Sequence, residues 1–134
     1  MHCYEKIGPL YAELVPLVQD LVYYAKRDDI DKNERFKAYA IKFKRYAELI
    51  LELKNETLVY QAYIPQNIFS VSSKLMGQMQ RDISFWTEVS NKLYNGDYND
   101  IDYQKCQDEI DIVLLYIANV QVEIKNRLKK LSEL

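Results

Sequence analysis

Apolar residues recur in steps of three and four along four stretches of the chain, with polar residues between them. Residues three and four apart lie on one side of an α-helix, so each stretch predicts an amphipathic helix. The last stretch is the most regular, and its apolar positions are Tyr103, Cys106, Ile110, Val113, Ile117, Val120, Ile124, Leu131 and Leu134. A single helix of this length is not stable alone in water, so we expect the rest of the chain to cover it.

The width of that apolar stripe predicts the surroundings of the last helix. Ile112, Leu115 and Val122 lie beside the main positions and widen the stripe beyond the seam of a two-stranded coiled coil. We therefore expect more than one neighbouring helix to pack against it and to cover these three residues as well.

The four stretches predict helices over residues 8–27, 32–63, 67–94 and 100–133. Three short polar segments separate them, and short connections between long helices favour antiparallel neighbours. The chain has only 3 Gly and 3 Pro against 49% hydrophobic residues, which favours helices over the turn-rich sheets of a sandwich or barrel. The sequence therefore predicts a single all-α domain over residues 1–134, an up-down-up-down antiparallel four-helix bundle.

The first helix is predicted to be the shortest, and to be kinked. Gly8 and Pro9 are a plausible start, because proline is tolerated in the first turn of a helix. Pro16 falls inside the helix, where it removes a backbone hydrogen bond, so we predict a kink over residues 12–15.

A short first helix leaves one end of the other three uncovered. We expect this end to expose apolar surface from Leu49, Leu53 or Leu58 and from the facing part of the third or fourth helix. Exposed apolar strips of this kind are normally interfaces, so a homodimer through this strip is a further hypothesis.

Charge and cysteine content narrow the functional classes. The formal net charge is −2, whereas a protein that binds nucleic acid mainly by electrostatics is normally basic. Cys3 and Cys106 lack metal-ligand spacing, and Cys106 falls on the apolar stripe of the last helix, so we expect a buried free thiol. With no secretion signal or membrane-spanning run in the sequence, we expect a cytoplasmic protein.

The sequence contains few of the residues and motifs that are typical of catalytic sites. The single histidine is His2, near the N-terminus, so a His-based triad and the Glu-x-x-His ligands of di-iron bundles are excluded. No glycine-rich phosphate loop or CxxC pair is present. The helix-borne carboxylates are expected to form surface pairs at i,i+4 spacing, and they include Glu13, Glu48, Asp82 and Glu88. We expect no enzyme activity, no cofactor and no metal site.

Acidic residues and tyrosines crowd the connection before the last helix. Tyrosine supplies rigid contact area with a polar group, and carboxylates steer a basic partner towards the surface. The predicted partner-binding residues are Tyr94, Tyr98, Asp100, Asp102, Tyr103 and Asp108. The alternative is that the acids serve the start of the helix, with Asn99 or Asp100 as its N-cap and Asp102 in its first turn.

Basic residues on the second helix give a second hypothesis. Its predicted apolar face comprises Phe36, Tyr39, Ala40, Phe43, Ala47, Ile50 and Leu51. Cations on the other sides, near tyrosines, are able to hold a nucleic-acid backbone. The predicted residues are Arg35, Lys37, Lys42, Lys44 and Arg45. The alternative is an ordinary solvated face, neutralised by Glu48 and Glu52.

A third and weaker hypothesis is an apolar-ligand carrier. Met76 and Met79 lie beside small residues on the third helix, and methionine adapts to irregular apolar ligands. The pocket is expected between these methionines and the kink at Pro16. Gly77 is expected to mark the close approach of another backbone. The alternative is that the methionines and the small residues beside them fill gaps in an ordinary core.

Overall fold

A computed structural model describes residues 2–133, and the side chains from Tyr4 onward. Leu134, the predicted end of the last stripe, lies outside the described residues. The four helices are α1 (His2–Lys26), α2 (Lys32–Val59), α3 (Gln66–Asn95) and α4 (Tyr103–Ser132). Short 3-10 turns at Gln61–Tyr63 and Tyr98–Asp100 precede α3 and α4, and the described part of the chain contains no strand. The predicted all-α fold is confirmed.

The helices form a closed four-helix bundle. Each packs against its neighbours in sequence, and α1 also packs against α4, so every helix has two partners. The core is made by one face of each helix. In α4 this face has six buried residues, all of them predicted, namely Cys106, Ile110, Val113, Ile117, Val120 and Ile124.

The first helix begins earlier than predicted. α1 starts at His2 and runs without a break through Pro9 and Pro16, although it remains the shortest of the four. The physical reason lies in Tyr4 and Ile7, which are buried on the face that continues through the rest of α1. Their burial offsets the backbone hydrogen bond that Pro9 cannot make.

The longer α1 removes the predicted apolar strip. Leu49 and Leu53 are fully buried, so the prediction that they line an uncovered end of the bundle was wrong. Leu58 is exposed, but it lies alone among the three.

The buried face of α2 is rotated from the predicted one. Ala47 and Leu51 are exposed, whereas the buried positions are Arg35, Tyr39, Tyr46, Leu49, Ile50, Leu53 and Thr57. The two large aromatics at 39 and 46 outweigh the smaller alanines in choosing which side faces the core, since they bury more apolar area. Arg35 consequently enters the core side of the helix.

The helix ends differ in detail from the prediction. Asp102 is the N-cap of α4, where its carboxylate accepts a hydrogen bond from the Lys105 amide at 3.0 Å, so Asn99 and Asp100 were the wrong cap residues. Pro65 is the N-cap of α3 and offers no side-chain bond. Gly96 ends α3 with φ of +77°, a left-handed conformation that favours glycine.

The outer side of α4 is uncovered. Ile112, Leu115 and Val122 are 38%, 59% and 54% exposed, so the expectation that neighbouring helices cover them was wrong. The two neighbours of α4 contact only its inner face. Within the described part of the chain, no helix has the length and hydropathy needed to cross a membrane.

Candidate interaction surface at the loop end of the bundle

The bundle brings its first and third connections to the same end. We call this the loop end, and define it as residues 23–36 together with residues 92–108. The two halves touch, because the Arg35 guanidinium on α2 donates a hydrogen bond to the Tyr103 hydroxyl on α4 at 2.9 Å. Within the second half, the Lys92 ammonium donates to the Asp100 carbonyl at 2.8 Å. These contacts hold the loop end together as one structured surface.

Arg35 is the centre of the loop end and not part of an exposed basic face. Only 4% of it is exposed. It donates to the Ala25 carbonyl in the last turn of α1, where the helix dipole is negative and carbonyls lack partners within the helix. Its guanidinium also lies over the Tyr98 ring, 4.1 Å from the centroid, which is a cation–π contact. Arg35 therefore joins α1, α2 and α4.

Tyr98 and Tyr103 make contacts within the protein. Both are partly buried, and both use their polar or π-rich parts to hold Arg35. Their predicted place at this end of the molecule is correct, but much of their surface faces the protein. The sequence contains no local signal for this arrangement, because Arg35 lies far from both tyrosines along the chain.

Tyr94 is the exposed aromatic of the predicted set. Its side chain is 65% exposed, and its ring packs edge-on against Phe36 with centroids 5.2 Å apart. The edge-to-face contact restricts the ring without covering it. Tyr94 thus presents apolar surface and a hydroxyl to solvent in a braced position.

Acidic residues follow this tyrosine closely in sequence on the second half of the loop end. Asp97, Asp100 and Asp108 are exposed, and Asp102 is committed to capping α4. Residues 94–111 carry six acidic residues against one basic residue, Lys105; the acids are Asp97, Asp100, Asp102, Asp108, Glu109 and Asp111. The local charge is therefore negative, although the whole chain is nearly balanced.

The first connection also lies at this end of the bundle, beside these acids, which was not predicted. Asp28 and Asp31 lie at the same end, and Asp31 caps α2 by accepting from the Glu34 amide at 2.9 Å. Arg27 and Asp29 form a 2.8 Å ion pair, and the hydrogen bond from Arg27 lowers the pKa of Asp29. The predicted antiparallel topology contained this information, because it places the first and third connections at the same end of the bundle.

The predicted nucleic-acid residues do not form a free basic face. Arg35 is buried, as described above. Lys42 lies 3.1 Å from Asp20, and Arg45 is hydrogen-bonded to Glu13 and, at 2.9 Å, to Glu52. Among the described residues, the exposed Lys37 and Lys44 take part in no ion pair.

The predicted pocket between the methionines and Pro16 is also absent from its expected place. Met79 is fully buried in the core, and Met76 is partly buried against it. The groove beside Pro16 is instead walled by α1 and α2, with charged residues such as Glu13 at its edge. An added Cβ on Gly77 would meet only the Arg81 side chain, at 3.3 Å, so the expected close approach of another backbone was wrong.

One carboxylate predicted on the surface is buried. Asp82 is 5% exposed, and its Oδ1 accepts from the Gln78 amide at 3.0 Å. The same amide reaches Glu109 on α4 at 3.3 Å, and no described group pairs with Asp82 Oδ2. Burial, followed by the proximity of Glu109, raises the pKa of Asp82 to about 7.

Tyr46, on α2, lies near Asp82. Burial, and then the charges of Asp82 and Glu109, raise the pKa of Tyr46. Among the described side chains, those of residues 4–133, no group of three or more Cys, Asp or Glu residues is placed to hold a metal ion. Asp82 and Glu109 form an acid pair in which Asp82 is buried and Glu109 is partly exposed.

The exposed surface at the loop end, with Tyr94 beside Asp97 and Asp100, is the arrangement that best fits recognition of another molecule. Comparison of the chain with protein-family models, with curated proteins and with solved structures found no match.

Proposed function

We propose that this chain is a small non-enzymatic interaction protein that binds a basic segment of another protein at the loop end. The observation that carries the proposal is the braced, 65% exposed Tyr94, with the exposed residues Asp97 and Asp100 at the same end of the bundle. A tyrosine held in place loses little side-chain entropy on binding, and such residues often dominate the energy of an interface. The carboxylates add steering and selectivity for a cationic partner.

A pair of exposed tyrosines allows a matched test. Tyr94 is 65% exposed at the loop end and Tyr63 is 70% exposed near the opposite end, so a photo-crosslinking residue replaces each in turn. Extracts of the source cells are irradiated with each variant, and the adducts are identified by mass spectrometry. We expect a specific adduct from position 94 and none of the same identity from position 63.

Charge variants complete the test. The pair Asp97→Lys and Asp100→Lys is expected to weaken binding of the captured protein by at least about tenfold, because two steering carboxylates are replaced by repelling charges. Asp102 is left intact, since its loss would destabilise α4 through the cap. No adduct at position 94, or the same adduct at both positions, would contradict the proposed surface.

Nucleic-acid binding through α2 has less support. Of its five predicted residues, one is buried and two are ion-paired, which leaves Lys37 and Lys44. Two exposed cations supply a small electrostatic contribution. A mobility-shift assay at low salt that detects a complex abolished by Lys37→Glu and Lys44→Glu would revive this alternative.

A further inference from the structure

The outer side of α4 carries a second regular stripe that the bundle does not use. Its members recur in steps of three and four and are all exposed, and they are Asp108, Asp111, Leu115, Ala118, Val122, Lys125 and Lys129. This spacing is that of a helix seam in a two-helix contact. α4 therefore has an inner stripe that makes the core and an outer stripe open to solvent.

The centre of the outer stripe is apolar. Leu115 is 59% exposed and Val122 is 54% exposed, with the small Ala118 between them and Ile112 at the edge. Neither the helix dipole nor the packing of the bundle requires apolar residues at these positions. A small residue in the middle of such a stripe lets a second helix approach closely.

The two ends of the outer stripe carry opposite charges, and neither end has an ion-pair partner among the described residues. Asp108 and Asp111 accept hydrogen bonds only from the neutral amides of Gln104 and Gln107. In the part of the chain that the structure describes, Lys125 and Lys129 take part in no ion pair. Acid at one end and base at the other is a self-complementary pattern.

An antiparallel copy satisfies both features at once. Leu115 and Val122 lie equally far on either side of the midpoint between Ala118 and Asn119, and so do Asp108 and Lys129. A two-fold axis at this midpoint sets each leucine against the valine of the other copy. The same axis sets each Asp108 near the other copy's Lys129, whereas a parallel arrangement brings like charges together.

We propose that the outer face of α4 docks on the same face of a second copy of this chain, in antiparallel orientation. The contact is isologous, so it closes as a dimer. The inference goes beyond the proposed function, because the dimer face and the Tyr94 surface share only Asp108. With few apolar residues per copy, the dimer is expected to be weak and to form as concentration rises.

The primary experiment measures mass against concentration by analytical ultracentrifugation, from the micromolar to the millimolar range. Leu115→Lys places two ammonium groups in the apolar centre and is expected to leave a monomer throughout. Leu51→Lys is the matched control, because Leu51 is an equally exposed leucine (59%) on the outer side of α2. Circular dichroism checks that each variant keeps its helices, and Val122→Lys is the second variant if Leu115→Lys fails to fold.

Charge exchange tests the orientation. Asp108→Lys alone and Lys129→Asp alone each create like-charge pairs and are expected to weaken the dimer several-fold. The two changes combined in one chain restore opposite pairs in an antiparallel dimer and are expected to restore association. A parallel dimer would show no such rescue.

Each result bears directly on the proposal. A wild-type chain that stays monomeric throughout the range overturns it, as does a dimer that survives Leu115→Lys or one that Leu51→Lys disrupts equally. A dimer without rescue by the double exchange overturns the antiparallel arrangement. Crosslinking at position 94 is scored separately, so the failure of either proposal is distinguishable from the failure of the other.

Discussion

Arg35 and Arg45 lie on the same helix and were predicted to share one basic face, yet the bundle uses them in opposite ways. Arg35 is buried and contacts a helix-end carbonyl, a hydroxyl and an aromatic ring. Arg45 has three carboxylate partners, Glu13, Glu48 and Glu52, and its side chain remains 33% exposed. The arginine with more ion pairs lies in the environment where each pair contributes least.

The difference shows that the number of charged contacts is a poor guide to stabilisation. Water and salt screen the pairs around Arg45, and water readily solvates each group once a pair is broken. At the loop end the Ala25 carbonyl and the Arg35 guanidinium are removed from water. Loss of the guanidinium leaves the Ala25 carbonyl without this hydrogen bond, and an unpaired buried polar group has a high cost in free energy.

The largest expected effect is that of Arg35→Ala. This change removes the bridge between α1, α2 and α4, and we expect the free energy of unfolding to fall by about 3 kcal/mol. Urea unfolding followed by circular dichroism measures it. The comparison between the two arginines breaks down if the loss is no larger than the loss for Arg45→Ala.

Asp82→Asn extends the comparison to a buried group that forms no ion pair among the described residues. Because the folded-state pKa of Asp82 is about 7, above its ordinary value, the folded protein holds the proton more tightly than the unfolded chain. The contribution of protonated Asp82 to the free energy of unfolding is fully present below the ordinary pKa of the carboxyl group. It is lost as the pH rises towards 7. We expect the free energy of unfolding of the variant to exceed that of the wild type at pH 8 by at most about 4 kcal/mol, which corresponds to a rise in pKa from 3.8 to about 7.

The measurement for Asp82→Asn is the difference in unfolding free energy between variant and wild type at several pH values from 4 to 8. Comparison at each pH cancels the contributions of titrating groups that do not interact with Asp82, whereas the neighbouring Glu109 contributes to the difference. We expect the difference to grow with pH and to level off above 7. A difference that does not vary with pH would mean that Asp82 is as well solvated as an exposed carboxylate.

Gly77→Ala tests an arginine that is free to move. The new Cβ would lie 3.3 Å from Nη1 of Arg81, whose side chain is exposed and able to shift. Alanine favours a helix interior by about 1 kcal/mol over glycine, so we expect stabilisation of about that size. Thermal unfolding measures it, and a loss of stability would show that Arg81 is held as firmly as Arg35.

Arg45→Ala is expected to have the smallest effect, a loss below about 1 kcal/mol despite three partners. The loss should shrink further in high salt, because the pairs are exposed. Denaturant unfolding at low and high salt measures both quantities. A loss near that of Arg35→Ala would show that the surface network acts cooperatively.

The fold was largely predictable from the sequence because the apolar period is strong. The six core residues of α4 were predicted and are buried. The start of α1 was missed because Pro9 was treated as a boundary. The spacing of Tyr4, Ile7 and Tyr11 contained the correct signal, since these residues continue the core face in steps of three and four.

The site was less predictable because side-chain roles depend on contacts between distant segments. Arg35 was assigned to the surface since arginine is rarely buried, and its partners Ala25 and Tyr103 become neighbours only in the bundle. The abundant tyrosines were likewise ambiguous. Tyr11, for example, is 1% exposed and reaches Ser72 on α3, whereas Tyr94 is mostly exposed.

The depth of Cys106 gives the chain an internal reporter of its own opening. The thiol is fully buried, and burial raises its pKa to about 11, so the folded protein holds little of the thiolate that alkylating reagents attack. Modification at this position should therefore require α4 to separate from the bundle. The labelling rate at Cys106, measured by peptide mass mapping, therefore reports how often α4 separates from the bundle under native conditions, without any denaturant.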